Sequence, residues 1–149
     1  MIEPPVCDSL GFAIAWPDVP LETAHARRLL PQQVAFSDAT ENPKRLAALL
    51  EGLRRGEPAL LKIGSHDCLH ERYRLPAIVG AREALECARA AGAHMAVVSG
   101  SGSGLFAICA RGEEARVASA MLRGFEGQGA RGECAAASIV RTPPRVEAI

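Results

Sequence analysis

The stretch Met95-Ala96-Val97-Val98-Ser99-Gly100-Ser101-Gly102-Ser103-Gly104-Leu105-Phe106-Ala107-Ile108-Cys109 decides the fold. Its two apolar ends, Met95–Val98 and Leu105–Cys109, read as strands, and only the Ser/Gly run from Ser99 to Gly104 separates them. A parallel crossover needs about a dozen residues or more, so this gap predicts an antiparallel hairpin. Upstream, Ala81, Ala84, Leu85, Ala88 and Ala91 fall on one helical face, with Arg82, Glu83, Glu86 and Arg89 opposite and Gly92 as C-cap. Downstream, Val117, Ala118, Met121, Leu122 and Phe125 mark a second helix, and Ala135 to Arg141 reads as a closing strand.

The N-terminal half supplies the remaining elements. Ser9 to Trp16 (SLGFAIAW) is an apolar strand closed by Pro17, and Thr23 caps a short helix to Leu30 that Pro31 stops. Asn42-Pro43 is a helix-start signal, followed by Leu46, Leu49, Leu50 and Leu53 as one buried face and Gly56 as the stop. Pro58 opens a further helix to about His70, with Leu60, Leu61, Gly64 and Cys68 inward. The resulting order is β-α-β-β-α-β, the ferredoxin-like split motif, α+β, with extra helices inserted in the first crossover and helices on one sheet face. Residues 1–149 read as a single domain, with 142–149 a loose tail around Pro143-Pro144.

Composition narrows the function classes. The 149 residues carry 17 Lys+Arg and 17 Asp+Glu, and a net charge of zero removes the usual electrostatic case for nucleic acid or an anionic membrane. No apolar run approaches the roughly 20 residues of a membrane span, and Met1 to Pro5 lacks a signal peptide's basic and apolar regions. The five cysteines are odd in number, scattered and without C-x-x-C, which points to a reduced, cytoplasmic compartment.

Three stretches can carry chemistry. Ser99 to Gly104 alternates glycine and serine, so its backbone N–H groups can form a nest for phosphate or carboxylate; the alternative is an ordinary glycine-rich turn. It is neither a P-loop nor a dinucleotide fingerprint, because a strand follows instead of a helix. His66 and His70 stand at i and i+4 around Asp67, imitating a zincin, but a third ligand has no spacing signal, so capping or surface histidines are the competing reading. Arg74 and Arg27 are the candidates for a carboxylate, since a guanidinium offers a planar bidentate fork; solvated arginines are the alternative. Glu71 is as well suited to pairing with Arg72 or Arg74 as to acting as a base.

Together these stretches resemble the C-terminal half of the homoserine kinases of the GHMP small-molecule kinase family. Thr23-Ala24-His25-Ala26-Arg27 with Leu30-Pro31 resembles a T-x-x-A-R…LP stretch. Asp67-x-Leu69-His70-Glu71-x-Tyr73-Arg74-x-Pro76 resembles D-x-L-H-E-x-Y-R-x-P, and Gly92-Ala93 through Ser99-Gly100-Ser101-Gly102 to Leu105-Phe106-Ala107 resembles the third GHMP motif and its hairpin. The likeness runs from Ser9 to about Arg141. It implies transfer of the ATP γ-phosphoryl group, with Mg2+, to the hydroxyl of L-homoserine on the route to threonine. It implies that Thr23 lies by the nucleotide and reacting centre, Ser99 beside the nucleotide, and Arg27 and Arg74 on the amino-acid carboxylate. Gly100, Ser101 and Gly102 would close on substrate and phosphate.

Two departures from the family pattern stand out. Ser103-Gly104 stands where the family loop S-G-S-G-P-S/T continues with Pro-Ser/Thr, and nothing resembles the P-x-x-x-G-L-G-S-S-A phosphate loop. The expected partners are therefore homoserine and a separate N-terminal kinase half, with a homodimer as the general default. The chain alone is expected to be inactive. The competing class is a non-catalytic amino-acid-binding or regulatory module.

Overall fold

The structure, a computed structural model, describes residues 5–100 and 102–139. Four strands, β1 (Leu10–Pro17), β2 (Met95–Val98), β3 (Leu105–Ala110) and β4 (Gly132–Ala137), form one sheet in the order β2-β3-β1-β4. Every neighbouring pair is antiparallel, with Ala13 opposite Ala107 and Ala136, and Ala96 opposite Ala107. This is the split β-α-β-β-α-β topology the hairpin predicts: β1 lies between β3 and β4, whose crossover carries a helix.

Alternation along the strands divides the core in two. Ala13, Ala15, Ala96, Val98, Leu105, Ala107 and Cys109 face α5 (Ala81–Ala90) and α6 (Glu114–Gly127). Phe125, Leu85, Met121 and Val117 close that layer, each at most 1% exposed. Burying each such side chain contributes about 1.5–3 kcal/mol. The two helices approach so closely at Gly124 that a Cβ there would overlap the backbone of Ala84.

The opposite face is also covered, contrary to the one-faced arrangement expected. Leu10, Phe12, Met95 and Ile108 pack with Leu61 of α3 (Pro58–Gly64) and Leu49 and Leu53 of α2 (Phe36–Arg55). The helices inserted in the first crossover thus form a second layer.

Several boundaries move. α2 starts at Phe36 and runs through Pro43, so Asn42 is interior and not a cap. Only Leu49 and Leu53 of the four leucines turn inward; Leu46 and Leu50 are 55% and 43% exposed. α3 stops at Gly64, and β4 lies three residues earlier than its apolar pattern suggested, because its pairing with Trp16 and Pro17 begins at Gly132. Val140, Arg141 and the 142–149 tail lie outside the described residues. α1 (Thr23–Arg28) has Glu22 at its N-cap, so Thr23 is the first helical residue and makes no capping bond.

Candidate active site

The site is built from α4 (Glu71–Arg74) and the β2–β3 loop. The loop is closed by Ser99 N–H donating to the Gly104 carbonyl at 2.8 Å. Gly100 has φ +60°, a left-handed conformation that favours glycine. A Cβ at Gly100 or Gly102 would meet nothing within 4 Å, so open space lies over both. Ser99 and Gly100 are exposed, whereas Ser103 is 7% exposed. Ser101 lies outside the described residues.

Arg74 enters this loop from α4. Only 8% exposed, it donates from Nη1 to the Gly100 carbonyl at 2.8 Å. Its Nε is buried and has no partner among the described residues. A buried guanidinium left with an unmet donor is costly unless a ligand or water completes it. The remaining fork is chemically suited to a carboxylate or phosphate oxygen.

The sequence Asp67-Cys68-Leu69-His70-Glu71 sets α4 in place. Asp67 Oδ2 accepts the backbone N–H groups of Leu69, His70 and Glu71 at 3.1, 2.6 and 2.7 Å. Its Oδ1 accepts Asn42 Nδ2 at 2.8 Å, and Asn42 Oδ1 accepts the Cys68 N–H at 2.9 Å. Burial pushes the Asp67 carboxyl up, but the N–H donors of Glu71 and His70 and the Asn42 amide outweigh it and hold it below its ordinary range. His66 and His70 do not share a helical face, because α3 ends before the first and α4 begins after the second. His70 instead places Nε2 3.5 Å from Asp67 Oδ1, and its Nδ1 is buried without a partner among the described residues.

Glu71 pairs with neither Arg72 nor Arg74. Burial raises its pKa, opposed by Arg89, reinforced by Asp67 and opposed again by Arg82. It lines a cleft of about 830 Å³ between α3, α4 and α5, together with Lys62, His66, Arg72, Arg82 and Arg89. Arg72 is held by Asp38 of α2 at 2.8 Å and lies over the Tyr73 ring.

Of the remaining candidates, Thr23 and Arg27 stand one turn apart on α1, at i and i+4, both exposed. Arg74 and Gly100 are brought together; no bond joins Arg27 to either among the described residues. Asn42 and Asp67 are the residues whose roles the sequence reading missed. Asp67 stands three residues ahead of His70, the N-cap of α4, so its bonds to the Leu69, His70 and Glu71 N–H groups follow from the turn between α3 and α4 and not from a cap position readable in the sequence.

A split-sheet α+β domain with a buried arginine seated on its glycine–serine hairpin is of the GHMP kinase C-terminal type. Residues 44–127 match the family described as GHMP kinases C terminal, and the chain belongs to it. The homoserine kinases of Synechococcus sp. (strain RCC307) and Prochlorococcus marinus (strain MIT 9303) are 42% and 38% identical to it over 122 residues, 82% of this chain. The chain spans 39% of the length of each. The crystal structure of homoserine kinase from Cytophaga hutchinsonii superposes with a TM-score of 0.86 at 27% identity, over 93% of this chain and 44% of that one. The L. major mevalonate kinase in complex with R-mevalonate, 16% identical with a TM-score of 0.56, shares the fold.

Proposed function

We propose that this chain is the substrate-binding C-terminal half of a homoserine kinase, an enzyme that phosphorylates the side-chain hydroxyl of L-homoserine from ATP. The observation that carries the reading is Arg74: buried, bonded through Nη1 to the Gly100 carbonyl, and with an Nε donor that has no partner among the described residues, in a loop where open space lies over Gly100 and Gly102. The 38–42% identity to curated homoserine kinases supports the substrate class.

Each residue then has a defined task. Arg74 offers its fork to the amino-acid carboxylate, and Arg27 supplies the second cation. Gly100, Ser101 and Gly102 present loop N–H groups to anionic oxygen, with Ser99 at the nucleotide side and Thr23, one turn before Arg27, nearest the reacting hydroxyl. Bound ATP with Mg2+ would supply the phosphoryl group; open space over the loop glycines suits an anionic oxygen there. Phosphoryl transfer is chiefly positioning and charge stabilisation, so a clamp that fixes the amino acid contributes directly to rate. The main phosphate cradle would come from an N-terminal half. Residues 1–149 would act as one domain of that enzyme. Its five free cysteines fit a reducing, cytoplasmic setting, and a homodimer is the default assembly.

The test is ADP release with L-homoserine, measured for the chain alone and with the N-terminal half of a homologous homoserine kinase. Turnover only in the combined reaction supports the reading. Homoserine binding with no turnover in either selects a non-catalytic amino-acid-binding module.

A further inference from the structure

We propose that Asn42 and Asp67 are positioning residues for Arg74: the polar bridge between them fixes α4 and thereby sets where the Arg74 guanidinium meets the β2–β3 loop. The consequence for homoserine rests on the clamp reading of Arg74; the geometric claim does not.

α4 is four residues long, and a helix that short does not hold itself, because nucleation costs more than its few bonds return. The N–H of its first residue, Glu71, and those of Leu69 and His70 just ahead of it converge on a single atom, Asp67 Oδ2. Asp67 is itself anchored through Oδ1 to Asn42 Nδ2, and Asn42 returns a second bond from Oδ1 to the Cys68 N–H. Asn42 is interior to the 20-residue α2, which is seated on the sheet by Leu49 and Leu53. A continuous polar path therefore runs from α2 through Asn42 and Asp67 to α4, and one turn later to Arg74 and Gly100. All five bridge bonds are partly buried, so their loss is not made good freely by water. A second polar link between α2 and α4 among the described residues, Asp38 to Arg72, has an arginine side chain 50% exposed and is screened by solvent.

The bond pattern gives a specific test. With Asp67→Asn alone, the new amide faces the Asn42 amide; flipping Asn42 only moves the donor–donor conflict to the Cys68 N–H. With Asn42→Asp alone, two carboxylates face each other. The double exchange Asn42→Asp/Asp67→Asn satisfies every bond: the new amide oxygen caps α4, its NH2 donates to the new carboxylate, and that carboxylate still accepts from Cys68.

The experiment follows the Arg74 Nε–Hε and Gly100 amide resonances of the full 15N-labelled chain, with sheet amides such as Ala13 and Ala107 reporting the fold. Asn42→Ala, Asp67→Asn and Asn42→Asp are expected to displace both resonances and weaken L-homoserine binding about tenfold while the sheet amides stay in place. The double exchange is expected to return both resonances close to their original positions. Single variants that leave the Arg74 and Gly100 resonances unmoved overturn the proposal. So does a folded double exchange that fails to restore them. If the exchange does not fold, the mild Asn42→Ala variant decides alone. Resonances that follow the bridge in a chain that does not bind homoserine support the positioning claim and refute the clamp reading.

Discussion

Arg74, at the end of α4, donates to the carbonyl oxygen of Gly100, in the β2–β3 loop, at 2.8 Å, across 26 positions of sequence. That bond holds a buried cation against the glycine–serine turn, and its Nε has no partner among the described residues.

Arg74→Ala removes a charged hydrogen bond and a planar fork together. Bonds to charged groups are worth about 1.5–3 kcal/mol, which corresponds to roughly a ten- to hundredfold loss. L-Homoserine affinity of the chain, or KM in a reconstituted enzyme, is expected to worsen by that range. Arg74→Lys is expected to restore little, because an ammonium keeps the charge but lacks the fork. Titration calorimetry on the three proteins checks both points.

The acid limb of stability belongs in part to Asp67. Its folded-state pKa is depressed, so its stabilisation is present above the unfolded carboxylate range near about 4 and is lost as pH falls through the lower folded value. Glu71 has the opposite sign: burial raises its pKa, so ionisation there costs stability as pH rises from the unfolded value through the folded one. Glu71→Gln is therefore expected to gain stability relative to the native chain at pH 7 and to lose that advantage below about pH 4. Urea melts of both proteins across that window test the sign.

Close helix packing at Gly124 makes a simple steric prediction. A methyl group there overlaps the backbone of Ala84, which cannot rotate away. Gly124→Ala should therefore destabilise the chain by about 1–3 kcal/mol despite alanine's better helix propensity. A melt showing equal or higher stability would contradict the packing.

How much of this was legible in the residues differs by region. Met95–Val98 and Leu105–Cys109 were readable because both strands are apolar and the short loop allows only a hairpin; the structure extends the second by Ala110 alone. β4 was misplaced because Cys134 to Ala137 is nearly all small residues and lacks the β-branched signal; its position is set by β1, a tertiary partner. Asn42-Pro43 carried a strong local helix-start signal, yet α2 begins at Phe36, and Asn42 is used sideways for Asp67 and Cys68. The chemistry of Arg74 marks it as a candidate in the sequence, but its seat on Gly100 is set by the fold, since nothing local to either residue encodes the other.

The cysteines separate by environment. Cys109 is fully buried, and desolvation, helped by Glu114 and Glu113, pushes its thiol up to about 11. Cys7 lies near the surface and bonds Ser9 Oγ at 3.2 Å, and its side-chain and backbone bonds to Ser9 lower its pKa. Iodoacetamide at neutral pH should label Cys7 well before Cys109, and Ser9→Ala should slow the Cys7 reaction. Peptide mapping of a time course reads both rates.

The central claim is that Arg74 and the Gly100 turn grip the carboxylate of a small amino acid. It is tested most directly by titrating the 15N-labelled chain with L-homoserine and, separately, with L-homoserinol, which lacks only the carboxylate. Saturable movement of the Arg74 Nε–Hε and Gly100 amide resonances with homoserine, and none with homoserinol, is the predicted result. Resonances that stay fixed with homoserine, or that move equally with both compounds, would contradict it.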